Sequence, residues 1–201
     1  PNVSLRIYLV EDVSQKESKT VRLQVLSENS GPLWLHNLRA GFGVPIADEP
    51  IDTSMIMNVV SPLVSLKSEI QSTGHSLAWV APRGIGLTAW SGDAKAQTRI
   101  RRRFMALGQT LDGMRVWDIR RTIQMVHFIR ESEAAQIELI ASGEMAVNAL
   151  YASLFESSVQ RVKLINMPKS HLEGPDYLGV LRFTDIAQVV DANGPKAVVS
   201  D

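Results

Sequence analysis

Cysteine is absent from the 201-residue chain. That excludes thiol nucleophiles, disulfides and thiolate metal sites, and it leaves the redox compartment open. A net charge is missing too: twenty-one Lys and Arg balance twenty-one Asp and Glu, so nothing in the overall charge favours nucleic acid or an anionic membrane. No apolar run approaches the roughly 20 residues that span a bilayer. The four histidines, His36, His75, His127 and His171, show no metal-ligand spacing, so neither a metal nor a cofactor is expected. The chain begins at Pro1 without an initiator Met or a signal-like segment. A domain excised from a longer polypeptide is the expectation, with secretion or the periplasm as the compartments to consider.

What is present is apolar content of 45%, enough for one sizeable core. Leu5, Ile7 and Leu9 alternate with polar neighbours, as do Val21, Leu23 and Val25, which predicts two strands in a hairpin-like opening. Trp34, Leu35 and Leu38 suggest a short helix, and residues 42–53 a loop. Leu63, Leu66 and Ile70 stand at helical spacing before Gly74, predicting a helix over 62–71. A strand over 76–81 precedes the turn Pro82-Arg83-Gly84-Ile85-Gly86, and 87–96 reads as irregular. A long helical region broken by Gly108 follows. Its second part carries the apolar stripe Val116, Ile119, Ile123, Val126 and Ile129, with Arg115, Arg120, Arg121 and Arg130 off it. Strands are expected at 136–141, 161–165 and 196–199, with helices at 145–155 and 176–190. Strands alternating with helices predict a three-layer α/β/α sandwich around a mostly parallel sheet.

Between Arg101 and Gly174 the sequence resembles a known family. Arg101-Arg102-Arg103-Phe104, the block Leu107-Gly108-Gln109-Thr110-Leu111-Asp112-Gly113-Met114-Arg115-Val116-Trp117-Asp118, then Gly143-Glu144-Met145-Ala146 and Ala149-Leu150-Tyr151-Ala152 resemble the C-terminal region of bacterial acetylxylan-esterase-like α/β-hydrolases. The likeness covers roughly residues 76–190. It implies a reduced α/β-hydrolase fold in which an apolar strand runs into a strained turn, the nucleophile elbow, and then a helix.

At the elbow the chain departs from that pattern. Active members place a serine there; this chain reads Ala141-Ser142-Gly143-Glu144-Met145. Matching the helix alanines puts Gly143 in the nucleophile slot, while a shifted register puts Glu144 there, and neither puts Ser142 there. The superfamily's order of nucleophile, acid and histidine is also unmet, because only His171 follows the elbow. Ser142 reads as a small residue in a crowded turn. Glu144 reads as a first-turn carboxylate favoured by the helix dipole, with a catalytic role as the alternative. His171 reads as a surface or capping residue in a loop near the strand ends. Arg83 and Trp90 are candidate pocket residues, and Arg83 and Asp112 a candidate structural pair. Trp79 and Trp117 read as core. Arg99, Arg101, Arg102 and Arg103 read as a solvated or ion-paired helix start.

Three functions follow. The first is a catalytically degenerate domain that packs beside, or associates carbohydrate for, an N-terminal catalytic domain of the same polypeptide. The second is an ester hydrolase with an unconventional or externally completed site, using Glu144 and His171. The third is a small-ligand binding module at the elbow amides.

Overall fold

The structure, a computed structural model, describes residues 3–12, 19–30, 34, 60–90, 93–130 and 135–201. The short helix expected around Trp34, the loop over 42–53 and His36 lie outside the described residues, except for Trp34 itself. The strands are β1 (Ile7–Val10), β2 (Thr20–Val25), β3 (Ser76–Val80), β4 (Gln136–Ser142), β5 (Val159–Ile165) and β6 (Ala197–Ser200). The helices are α1 (Val60–Thr73), α2 (Ala94–Ala106), α3 (Leu111–Arg130), α4 (Glu144–Ser153) and α5 (Ile186–Asn193).

One six-stranded sheet runs in the order β1-β3-β2-β4-β5-β6, parallel except for β1. The hairpin expected between β1 and β2 does not form. β1 pairs antiparallel with β3 instead, Leu9 opposite Ala78, and β2 is inserted between β3 and β4. Alternation predicts that these segments are strands, but it carries no information about which strand is a neighbour.

Alternation also decides the two faces. Val21, Leu23, Val25, Ala78, Val80, Leu139, Val162 and Leu164 point to one side, where Ile119, Ile123 and Val126 of α3, Ala146, Ala149 and Leu150 of α4, and Val189 of α5 close the core. On the opposite side Leu77 and Trp79 meet Leu66 and Ile70 of α1, with Trp34 stacked 5.0 Å from Tyr8 and 5.3 Å from Trp79. Among the described residues α1 is the layer on that side, and β5 there presents exposed Arg161 and Lys163.

The helix expected over 176–190 is displaced. Residues 174–179 form a loop, Val180–Arg182 a single 3-10 turn, and α5 starts only at Ile186. Asp185 sets that start: its side chain accepts from Ile186 N–H, while Gln188 reaches back to the Asp185 N–H in a capping box. The apolar residues before it, Leu178, Leu181 and Phe183, stay exposed. Trp79 is buried as expected, whereas Trp117 is 44% exposed. Ile129, the last residue of the predicted stripe, is exposed as well.

Candidate functional site

The chain leaves β2 toward β3 on one side of the sheet, and leaves β4 toward β5 on the other. Adjacent parallel strands whose connections diverge in this way open a crevice at their carboxyl ends. Ser27–Ser30 after β2, Ser142–Met145 after β4 and Asn166 after β5 line a cleft of about 590 Å³ there, together with Arg101 and Arg115. A water-sized cavity of about 30 Å³ shares Glu28, Arg101 and Arg115 with it and reaches Gly84 and Trp90.

The elbow lies at the centre of this crevice. Gly143 N–H donates to Ile165 O at 2.9 Å, continuing the β4–β5 ladder, and α4 begins one residue later. Gly143 itself has φ 58° and ψ −137°, a conformation that L side chains rarely adopt. A Cβ built on it would have no neighbour within 4 Å, so the space above the apex is open. Of the two registers that the sequence allows, the backbone places Gly143 at the apex and Glu144 in the first turn of α4. The Glu144 and Met145 N–H groups belong to that turn and have no intrahelical acceptor.

Glu144 turns aside from the apex. Its Oε1 lies 2.8 Å from where a Cβ on Gly174 would be, and its Oε2 is 3.8 Å from Arg101 Nη2. Burial, then the neighbouring Asp112, raise its pKa above the ordinary carboxylate value, and this outweighs Arg101 and Arg115. The folded state therefore holds the Glu144 proton more tightly than the unfolded chain does, and stability falls as pH rises through its titration. Glu144→Gln is expected to raise Tm at pH 8 slightly, on the order of 1 °C because the side chain is 41% exposed. The gain is expected to vanish below about pH 4, which paired thermal melts across pH would show.

Behind the elbow is a buried charge network. Arg115, 1% exposed, donates to Asp112 (3.2 Å), to Glu28 (3.0 Å) and to the Arg83 carbonyl (3.2 Å). Asp112, fully buried, also accepts from Arg101 (3.3 Å), from Asp176 N–H (3.1 Å) and from Asn148 Nδ2 (3.4 Å). Burial alone would weaken the Arg101 charge, but Asp112, Glu144 and Asp176 more than offset it. The Tyr177 hydroxyl donates to Asn148 Oδ1, and burial holds its pKa well above the usual phenol value.

Arg83 and Asp112 do not pair. Arg83 instead grips Asp118, with Nε at 2.8 Å and Nη2 at 2.6 Å, and Asp118 also accepts the Arg83 N–H. Asp118 lies on the turn of α3 that faces the loop after β3, whereas Asp112 faces α4. Arg83 lines neither cavity; its carbonyl accepts from Arg115, which lines both. Trp90 lies flat against Gly84, 2.6 Å from a virtual Cβ there, and is 38% exposed beside the small cavity. Ser142 ends β4 opposite Ile165 and lines the cleft.

His171 is buried, not on the surface, and both ring nitrogens are engaged. Nδ1–H donates to the Pro175 carbonyl (3.1 Å), which leaves Nε2 to accept from the Tyr151 hydroxyl (2.9 Å). Its backbone N–H donates to Asp185, so the loop is tied to the cap of α5. Among the described residues no group of three His, Asp or Glu is placed to hold a metal ion.

Sequence reasoning missed the depth of Arg115 and the parts taken by Glu28, Asn148 and Tyr177. Arg115 does lie off the apolar stripe, but an arginine fully paired with carboxylates can be buried. Asp112 and Arg115 at i,i+3 were the available signal.

No family model matches the chain, and no curated protein matches it. Among solved structures it resembles a Bacteroides fragilis protein assigned as an acetyl xylan esterase, with 10% identity, a TM-score of 0.60, and coverage of 97% of this chain and 55% of that one. It also resembles a glucuronoyl esterase from Solibacter usitatus, with 17% identity, a TM-score of 0.56, and coverage of 82% of this chain and 44% of that one. The chain thus spans about half the length of these structures. At such identities the likeness shows the fold, and the class is an α/β-hydrolase-like fold, reduced in size.

Proposed function

We propose that this chain is a hydrolase-fold domain without a nucleophile of its own, whose elbow cleft binds a small hydroxyl-rich ligand, a carbohydrate. The observation that carries the reading is Gly143 at the apex of the elbow. A glycine there keeps the strained turn and the first-turn amides but offers nothing that can attack an acyl carbon. The cleft remains open, which favours binding over pure scaffolding. Nine of its eleven lining residues are polar or charged, with Met145 the apolar side chain. Such side chains suit hydroxyls that donate and accept.

An ester hydrolase built on Glu144 and His171 is the less favoured reading. Glu144 packs on Gly174 beside Arg101, and His171 is committed to Tyr151 and Pro175. We further propose that the domain works beside a catalytic domain of the same polypeptide.

Calorimetric titration of the chain with a neutral xylo-oligosaccharide tests the binding reading. Saturable heat is expected, and Asn29→Trp, which fills the cleft from its exposed loop, is expected to abolish it. No heat from the wild-type chain, or binding indifferent to Asn29→Trp, would remove the cleft from the account.

A further inference from the structure

Helix α2 carries five basic residues, Lys95, Arg99, Arg101, Arg102 and Arg103, and no acidic residue between Ala94 and Ala106. In a chain with no net charge, that is a local concentration. At 100° per residue, Lys95, Arg99, Arg102 and Arg103 fall within about a 100° arc and span about 12 Å of helix. Ile100, Arg101 and Phe104 point the other way and are half-buried, as is Ala96; the four on the arc are exposed. Arg101 turns into the cleft network, whereas among the described residues no carboxylate pairs with Lys95, Arg99, Arg102 or Arg103.

We infer that this outer face of α2 is a docking strip for an acidic polysaccharide, a chain bearing uronate carboxylates. The inference rests on the carbohydrate reading of the cleft and extends it to a substrate class. Charge complementarity supplies the first argument. Cations recurring about once per helical turn on a face free of acids match a polymer with repeated carboxylates, and three of the four are guanidiniums that can grip a carboxylate with two parallel N–H bonds. Position supplies the second. Trp90, 38% exposed, lies with its ring 6.4 Å from that of Phe104 on the inner face of α2, so the aromatic surface stands on the cleft side of the helix, across from the strip. Arg101 links this helix to the cleft that holds the hydroxyl-rich ligand. A nucleic acid fits less well, because the rest of the chain contributes no surplus of positive charge.

The test compares binding of oligogalacturonate, a neutral xylo-oligosaccharide, duplex DNA and anionic phosphatidylserine vesicles to the full chain. The combined variant Arg99→Gln, Arg102→Gln, Arg103→Gln keeps helix-forming residues at exposed positions, and circular dichroism checks its fold. Oligogalacturonate is expected to bind more tightly than the neutral sugar, with affinity falling as salt rises. The triple variant is expected to lose about tenfold or more of that affinity while its neutral-sugar affinity is unchanged. Neutral binding without a preference for the uronate overturns the strip and leaves the cleft reading standing. Binding of neither sugar overturns both. Equal or tighter binding of DNA or vesicles, or uronate affinity untouched by the triple variant, overturns the strip as a polysaccharide site.

Discussion

Asp112→Ala is expected to cost about 3–5 kcal/mol of folding stability, the largest effect of any single change considered. The side chain is fully buried and accepts from Arg115, Arg101, Asn148 and the Asp176 N–H. Truncation leaves Arg115, itself 1% exposed, with a guanidinium inside the protein that has lost its buried counter-ion. Glu28 still reaches Arg115, but its side chain is 56% exposed and its attraction is screened by water. Two further donors lose their acceptor in the same change: the buried Asn148 amide, which keeps only Met145 Sδ at 3.6 Å, and the N–H of half-buried Asp176. For a chain of this size, that loss corresponds to a drop in Tm of about 6–20 °C. Asp112→Asn keeps one acceptor oxygen and the volume, and is expected to fall between wild type and Asp112→Ala. Chemical denaturation midpoints of the three proteins check the order. If Asp112→Ala melts with the wild type, the network does not hold the α3–α4 junction.

Leu139→Ala is expected to cost about 2–5 kcal/mol through a different mechanism. Leu139 is fully buried in β4, between β2 and β5, with Leu23 and Val162 as its register partners. Strands on both sides fix the backbone, so the walls cannot collapse to fill the void, and the upper part of the range is expected. Ile129→Ala is the matched control. It removes a similar side chain from a position 52% exposed, and surface changes of this kind stay within about 0.5 kcal/mol. Equal effects at the two positions would mean that the core is not centred on β4.

Much of the fold was legible because it rests on local patterning. The 2-residue alternation in β2 and β4 and the stripe Ile119, Ile123, Val126 report burial directly. Strand order did not follow from pattern, since β1 reads the same whether it pairs with β2 or with β3. The displaced helix near the C-terminus shows a second limit. Leu178 and Leu181 stand three residues apart, as on a helix face, yet they and Phe183 remain exposed, and the Asp185 capping box fixes where α5 begins. Trp117 was misplaced for a related reason. Arg120 and Arg121 lie over its ring, at 5.9 and 4.4 Å, so a tryptophan at the surface is covered by cations and not by the core.

The site was legible in outline. The strand, tight turn and helix around Ser142-Gly143-Glu144 could be read from the sequence, but the register could not, because small-x-small spacing fits two frames. Backbone conformation separates them: φ 58° falls on Gly143, a residue that tolerates it, and not on Glu144. The buried ion network was harder to see, since charges seventy-five residues apart, such as Arg101 and Asp176, meet only through the tertiary fold.

We propose that the elbow of this α/β-hydrolase-like fold carries no group that can attack an acyl carbon. Hydrolysis of a short-chain chromogenic ester by the purified, folded chain tests it most directly, alongside Glu144→Gln and His171→Ala. No turnover above buffer is expected from any of the three proteins. Turnover by the wild-type chain that either substitution abolishes would contradict it and make this domain a hydrolase with an unconventional nucleophile or base.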